Sequence, residues 1–360
     1  MTGENRLTLA VAGGSKTQSI VDACADNSKR RILVTYTTTG QKELRERLNS
    51  TYGANLVEVI GWYSFLISHF VYPYLKAKYP HRTVQGFNFQ YVVPRGAQEE
   101  QRYFDPQGNL TRAGLSRLAF HLARATAGAP YDRLSCIYDE IYFDEVQDLT
   151  GWDLELLKAL FKSKLTITLV GDIRQSVYDT NYQDQKNKQY RGLKMIGWFR
   201  EQEKTRKLQI HESLDNWRCR PEIVELANRV FAGNNKLSPA VSKQTEEYEH
   251  QGLFRISPNN VDSYVRAHHP LSLRWSANCG KELQKICAFR NMGEVKGLTV
   301  DHALILPTDG MIQFLSSGIS NLKEQTACKL YVAITRARFS VAFVLDDDVQ
   351  TDQLQRWPTP

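Results

Sequence analysis

Two adjacent acids, Asp144 and Glu145, follow an apolar run in the string IYFDEVQD, Ile141 to Asp148. Paired carboxylates at the end of a buried strand suit metal-assisted chemistry. In an α/β sheet, ligands sit outside the carboxyl ends of the strands, so acids placed there can hold Mg²⁺ and orient a water beside a phosphate. The same string also reads as a strand end with solvated acids, and alone it does not decide between the two. The partner that the acids need lies near the N-terminus, where Ala10 to Thr17 reads AVAGGSKT. This is a strand, a loop of the small residues Gly13, Gly14 and Ser15, then Lys16 and Thr17 opening a helix. Small residues let backbone N–H groups wrap a phosphate chain, and the helix N-terminus adds partial positive charge. Lys16 can then reach the β- and γ-phosphates while the Thr17 hydroxyl ligates Mg²⁺. Ser15 occupies the position before the lysine where a glycine is usual, and its Cβ there implies strain. The competing reading is a plain glycine turn before a helix.

The elements that must position these residues follow from the apolar pattern. Candidate strands are LTLAVA from Leu7, RILVTY from Arg31, IYFDE from Ile141 and LTITLVGD from Leu165, with helical spacing over residues 17–25, 41–48 and 151–161. A second cycle follows Pro221, where EIVELANRVF reads as a helix begun by proline in its first turn. FRIS, SLRW, HALILP and VAFVLD come next as strands, with a helix over residues 322–337. Strand and helix alternate as in βαβ units around a mostly parallel sheet. At 360 residues the chain exceeds the usual size of one hydrophobic core, so two domains are expected. The boundary falls between residues 213 and 214, and residues 80–130 read as a polar, irregular insertion in the first domain. A hydrophobic share of 42% with 24% charged residues is that of a soluble globular protein. The formal charge of +7 fits a polyanion partner as well as simple solubility. Six cysteines without a CxxC or zinc-type spacing read as reduced thiols, mostly in the core. With no apolar leader and no apolar run near ~18 residues, a cytoplasmic protein without a membrane partner is expected.

In their order and spacing the motifs resemble the UvrD/Rep-like helicases of superfamily 1, from Leu7 to about Leu345. ILVTYTTTGQKELRERL from Ile32 and GWYSF from Gly61 are similar to the motifs that follow the phosphate loop, and DEVQD and LVGDIRQSVY match closely. LDNWRCRPEIVELAN from Leu214, EVKGLTVDHALIL from Glu294 and LYVAITRAR from Leu330 look like the fourth, fifth and sixth. The resemblance implies two RecA-like P-loop NTPase domains with small insertions, and ATP with Mg²⁺ as cofactors.

Roles carry over residue by residue. Asp144 would hold Mg²⁺ with Thr17, and Glu145 would orient or deprotonate the attacking water. Gln175 resembles the residue that contacts the γ-phosphate, and Arg218 and Arg336 the arginines that reach it across an interdomain cleft. Trp217 stands where the family has a tyrosine stacked on adenine, though interdomain core is an equal reading, and Gly297 of the fifth motif is carried over as a further nucleotide contact. Arg174, Arg220 and Arg338 read as solvated or structural charges. For nucleic acid, Tyr36 resembles the aromatic that meets a base, with Thr35 and Thr37 beside it and Trp62 and Tyr63 in the next motif. The aromatics from Phe65 onward read as helix core. The basic run from Lys186 is a phosphate-tracking face or a solvated helix.

The chain also departs from the family. About eighty residues separate Phe65 from Asp144, and about sixty separate Phe231 from Glu294; a compact version with short inserted subdomains is therefore expected. With six residues before the first strand, no adenine-reading glutamine segment is expected. Thr299 replaces a common glutamate, and VYDTN after Gln175 lacks the family's tryptophan-arginine pair. The expected function is an ATP-dependent translocase or helicase on single-stranded nucleic acid, DNA by preference, moving 3′ to 5′. Alternatives are a nucleic-acid sensor, and a regulatory ATPase acting with a separate effector such as a nuclease.

Overall fold

The computed structural model describes residues 5–26, 28–53, 57–177, 184–234 and 237–358. The chain divides into two compact units. One comprises Met1–Leu9, Lys16–Gly171 and Asp179–His211, the other Ala10–Ser15, Asp172–Tyr178 and Glu212–Pro360.

The sheet of the first unit has the strand order Glu58–Gly61, Arg31–Thr35, Glu140–Phe143, Thr166–Gly171, Arg6–Ala10, Gln209–Ser213. Leu7 lies opposite Leu169, Ile141 opposite Ile167, and Ile32 opposite Ile141, all in parallel register. A parallel sheet is covered on both faces, which is why Arg31–Thr35 is buried at every position. The buried Arg31 guanidinium is paired with Glu140 at 2.6 Å. Helices Lys16–Ala23 and Thr38–Tyr52 cover one face through Ile20, Val21, Leu44 and Leu48, packed on Leu33 and Val59. Because the strands are parallel, the carboxyl ends of Arg6–Ala10 and Glu140–Phe143 lie along one edge of the sheet.

After Gly61 the chain runs through helix Trp62–Leu66 and a π-helical turn over Ile67–Val71, where Phe65 and Phe70 are fully buried. That is the core packing expected of them. The segment 80–130 is more ordered than its composition suggests. It contains a two-stranded pairing of Phe87–Asn88 with Leu110–Thr111 and the helix Arg112–Ala125, capped by the Thr111 hydroxyl accepting from the Gly114 N–H. Leu115, Leu118, Ala119 and Leu122 bury one stripe of that helix, so its register was present in RAGLSRLAFHLARA but obscured by the flanking prolines and glycines. The basic run from Lys186 ends in the helix Met195–Lys204, which buries Met195, Ile196, Trp198 and Phe199 beneath its charges.

The second unit has its own six-stranded sheet, ordered Arg290–Asn291, Leu271–Arg274, Val300–Ile305, Ala337–Val344, Gly252–Ile256, Gln355–Arg356. Its registers are parallel too, with Ala303 opposite both Leu271 and Val341. Helices Pro221–Val230 and Glu324–Ile334 flank it, and Phe254, Ile256, Val261, Tyr264, Leu304 and Ala342 belong to its core. Two parallel sheets of this kind, each opened by strand-helix alternation, make an α/β protein with two RecA-like folds. Cys24, Cys219, Cys287 and Cys328 are buried free thiols, Cys136 is exposed and Cys279 partly so. Among the described residues, no helix is long and apolar enough to cross a membrane.

Candidate functional site

The loop after Arg6–Ala10 is built as the small residues require. Gly13 has φ +67, and a Cβ there would lie 2.7 Å from Arg218 Cβ and 2.8 Å from Asn216 Oδ1, so only glycine fits. The Gly14 N–H donates to Val11 O at 3.1 Å, closing the turn. Gly13 O in turn accepts from the Trp217 N–H at 3.0 Å. Ser15 is exposed and has φ +55, a left-handed conformation that disfavours any side chain. The strain expected from sequence is therefore present in the backbone, on the order of 1–2 kcal/mol. Lys16 then starts the helix, with Thr17 in its first turn. Both are partly exposed at the carboxyl edge of the sheet, where an anion would meet the helix N-terminus.

The acids sit on the same edge. The strand closes at Phe143, two residues earlier than its sequence suggests, and the Asp144 N–H still donates to Val34 O at 2.9 Å. Glu145 leaves the sheet in a left-handed conformation, φ 57 and ψ 42. The Asp144 carboxylate accepts the Glu145 N–H at 2.9 Å, and the Gln147 amide donates to the Glu145 carboxylate. A Cβ on Gly171, at the end of the neighbouring strand, would come within 2.5 Å of Gln147 Oε1, so the glycine of LVGD makes room for that amide. Non-glycine residues persist in this region only where the surroundings hold them, and such outliers cluster at functional sites. Asp144 and Thr17 supply hard oxygen donors, the set that Mg²⁺ prefers. Among the described residues there is no group of three or more His, Cys, Asp or Glu side chains arranged to hold a metal by themselves. A magnesium ion held largely by substrate phosphates and water needs only one or two protein ligands.

In the second unit, Asp172 organises the remaining candidates. Its carboxylate accepts from the Arg174 N–H at 3.1 Å, the Gln175 amide at 2.9 Å and the Tyr331 hydroxyl at 3.1 Å. The Tyr331 hydroxyl also accepts the Ala12 N–H at 3.0 Å, tying the phosphate loop to the helix Glu324–Ile334. Burial pushes the Tyr331 phenol pKa well up, so it serves as a neutral donor here. With its amide nitrogen committed to Asp172, Gln175 presents its oxygen to Arg336, whose Nη2 donates at 3.3 Å. Arg336 is only 2% exposed and is otherwise held by Val332 O, Leu298 O and the Thr335 hydroxyl. Arg218 is fixed nearby, its Nη1 donating to Thr335 O at 3.1 Å. The structure thus brings Gln175, Arg218 and Arg336 together with Ala10–Ser15. Tyr331, Asp172 and Asn216 were not singled out from sequence; the signals were a tyrosine inside the apolar run LYVAI and an acid closing LVGD, with none for Asn216 beyond its place in LDNWRC.

Trp217 is 58% exposed, so it is not core, and its backbone is the one joined to Gly13 O. Gly297 has φ +89 with nothing near a Cβ, so the backbone conformation alone calls for glycine. Arg174 donates to Ser238 O, Arg220 to Glu246 O, and Arg338 pairs with Glu246 and Asp301, which are the structural and surface roles expected of them. Of VYDTN, only Val177 lies within the described residues.

The candidates for nucleic acid divide. Tyr36 and Tyr63 meet at their hydroxyls, 3.2 Å apart, with ring centroids 5.7 Å apart and edge to face. Burial raises both phenol pKa values, most strongly for Tyr63. Thr37 caps the helix Thr38–Tyr52, its hydroxyl accepting the Gly40 N–H at 2.9 Å. Trp62 and Thr35, by contrast, are each 1% exposed and present no surface to a strand in this structure. The Trp62 indole packs on Phe65 and Phe143 and donates to buried Asp153 at 3.0 Å, so it is core. The Thr35 hydroxyl is enclosed where a Cβ on Gly40 would approach it at 2.9 Å.

Residues 98–190 match the family model of the UvrD/REP helicase N-terminal domain. Among curated proteins, none matches the chain's sequence. The solved structure of arterivirus nonstructural protein 10, a helicase, is similar to it with TM-score 0.50 and 13% identity, over 98% of this chain and 62% of that one. The PRRSV helicase gives TM-score 0.47 at 14% identity, covering 99% of this chain and 55% of that one. A complex of the arterivirus protein with DNA gives 0.47 at 13%, covering 96% and 61%. The chain thus spans less than two thirds of the length of these helicases, and the 0.50 likeness speaks to the fold. The segment that holds DEVQD is thus similar to the UvrD/REP helicase N-terminal domain, and the two parallel sheets share the fold of the arterivirus helicase.

Proposed function

We propose that the chain is an ATP-dependent translocase or helicase on single-stranded nucleic acid, DNA by preference and moving 3′ to 5′. The observation that supports this best is the shared carboxyl edge of one parallel sheet, which carries Lys16 and Thr17 after one strand and Asp144 and the left-handed Glu145 after another. In this reading the loop N–H groups and Lys16 bind the phosphates of ATP. Magnesium, held by Thr17 and Asp144, supplies charge neutralisation at those phosphates. Glu145, fixed by Gln147, positions the attacking water and takes its proton. Gln175, Arg218 and Arg336 stabilise charge on the γ-phosphate, and Trp217 and Gly297 contribute to the nucleotide's binding. Tyr36, Tyr63 and Thr37 contact the strand.

The test is steady-state ATP hydrolysis with and without single-stranded DNA, RNA and duplex. Lys16→Ala is expected to abolish strand-stimulated turnover with the fold intact. One observation favours a second reading: Ser15 strains the loop at the position where glycine is usual. ATP binding without turnover would indicate a sensor, and turnover only in the presence of a co-purifying nuclease would indicate a regulatory subunit.

A further inference from the structure

The arm between residues 80 and 111 carries aromatic residues that the nucleotide chemistry does not use. Phe87 and Phe89 lie edge to face with centroids 4.4 Å apart, and both touch Tyr63, at 5.3 Å and 5.4 Å. Tyr63 in turn meets Tyr36 at 5.7 Å. A chain of rings therefore runs outward from Tyr36, and its last member, Phe89, is 55% exposed. Large apolar side chains held out in water on a turn mark interaction sites when they are continuous with a patch.

The turn that presents Phe89 is rigid. Asn88 Oδ1 accepts the N–H groups of Gln90 and Tyr91, each at 3.0 Å. The Asn88 amide donates to Asp105 at 2.9 Å, and this buried carboxylate also accepts from the Gln107 N–H, the Asn109 N–H and the Asn109 amide. A ring held in place this way loses little conformational freedom on binding. Two residues on, Tyr91 lines an open groove of about 630 Å³ together with Arg82, Pro94, Arg95 and Gln98. Arg95 is exposed there, while Arg82 is shared with Glu100 at 2.7 Å. Glu100 and Asp105 line the groove as well, engaged by Arg82 and by Asn88 and Asn109, so it is the exposed Arg95 near the Phe89 π-face that fits a ligand aromatic and anionic at once, repeated along a chain.

We propose that Phe89 is a base-stacking residue that carries the Tyr36–Tyr63 contact outward to a further unstacked nucleobase, with Arg95 beside the sugar–phosphate backbone. This rests on the nucleic-acid reading above. Every nucleobase has a π-face, so the contact is tolerant of sequence. Guanidinium and phenol neighbours favour such a strand over an apolar protein surface.

The experiment is fluorescence anisotropy with labelled oligo-dT and an abasic strand of equal length, using the parent, Phe89→Ala, Phe89→Leu and Phe89→Trp. Thermal unfolding confirms that each variant is folded. Alanine and leucine are expected to weaken oligo-dT binding roughly five- to a hundredfold, the range of one base–aromatic stack, with tryptophan near the parent. On the abasic strand all four proteins should bind alike. Equal oligo-dT affinity for parent and Phe89→Ala overturns the proposal and leaves the translocase reading standing, as does an equal loss on both strands. A parent that binds neither strand overturns both. Self-association abolished by Phe89→Ala with strand affinity unchanged assigns the patch to a second copy of the chain and overturns stacking.

Discussion

At the level of single residues, the informative feature is where non-glycine residues take left-handed backbone conformations. Glu145 does so between a carboxylate that accepts its N–H and an amide that holds its side chain. Its strain is offset by local hydrogen bonds that also aim the carboxylate. Ser15 has the same φ sign on an exposed loop, and its substitution separates strain from function. Ser15→Gly removes roughly 1–2 kcal/mol of strain but adds about 0.5–1 kcal/mol of chain entropy. A small rise in the unfolding midpoint is expected, with ATP turnover equal to or above that of the parent; a lower midpoint would show that the serine side chain is stabilising. The serine was visible in the sequence as an oddity, whereas the left-handed glutamate was not. Phe143 and Asp144 continue a strand-like pattern, and nothing in residue types alone marks the point where the backbone turns over.

At the level of elements, what was legible followed burial. Central strands such as RILVT and TITLVG are rich in buried β-branched and apolar residues because both sheet faces are covered, and they were readable as strands. In the first sheet the strands overlooked were Glu58–Gly61 and Gln209–Ser213, and in the second the short Arg290–Asn291 and Gln355–Arg356; each lies at an end of its strand order, where burial is partial and polar residues are admitted. Side-chain pairings were not legible either, because partners are far apart in sequence: Trp62 with Asp153, Tyr331 with Asp172, Arg336 with Gln175. The Asp153 carboxylate shows what such pairing is worth. It accepts from the Trp62 indole, the Ser116 hydroxyl and the Thr150 N–H, all buried. Asp153→Ala leaves those donors without that acceptor and is expected to cost about 3 kcal/mol or more, read as a shift in the urea midpoint. A shift near zero would mean that water or neighbours replace the carboxylate.

For the molecule as a whole, charge and protonation set the working conditions. With a formal charge of +7, strand binding should weaken linearly in log affinity against log salt, the slope reporting the number of phosphates engaged. A flat dependence would count against backbone contacts. In the second unit, His250 stacks on His268 at 3.6 Å and lies 5.2 Å from His302, with His250 Nε2 3.0 Å from the Tyr264 hydroxyl. Burial and its neighbouring imidazoles lower the His250 pKa to about 4, and burial lowers those of His268 and His302 despite Glu249 and Asp301. Between about 6.5 and 4 the unfolded chain therefore binds more protons than the folded one, so stability should fall as pH drops through that window and level off below it. His250→Phe should flatten the profile; an unchanged profile would place the sensitivity elsewhere. The central claim remains that Glu145 positions the water that cleaves ATP. Its most direct test is single-stranded-DNA-stimulated ATP hydrolysis by Glu145→Gln, with nucleotide binding measured in parallel. Turnover reduced roughly 10²- to 10⁴-fold with binding retained is the expected result, and hydrolysis at the parent rate would contradict the assignment.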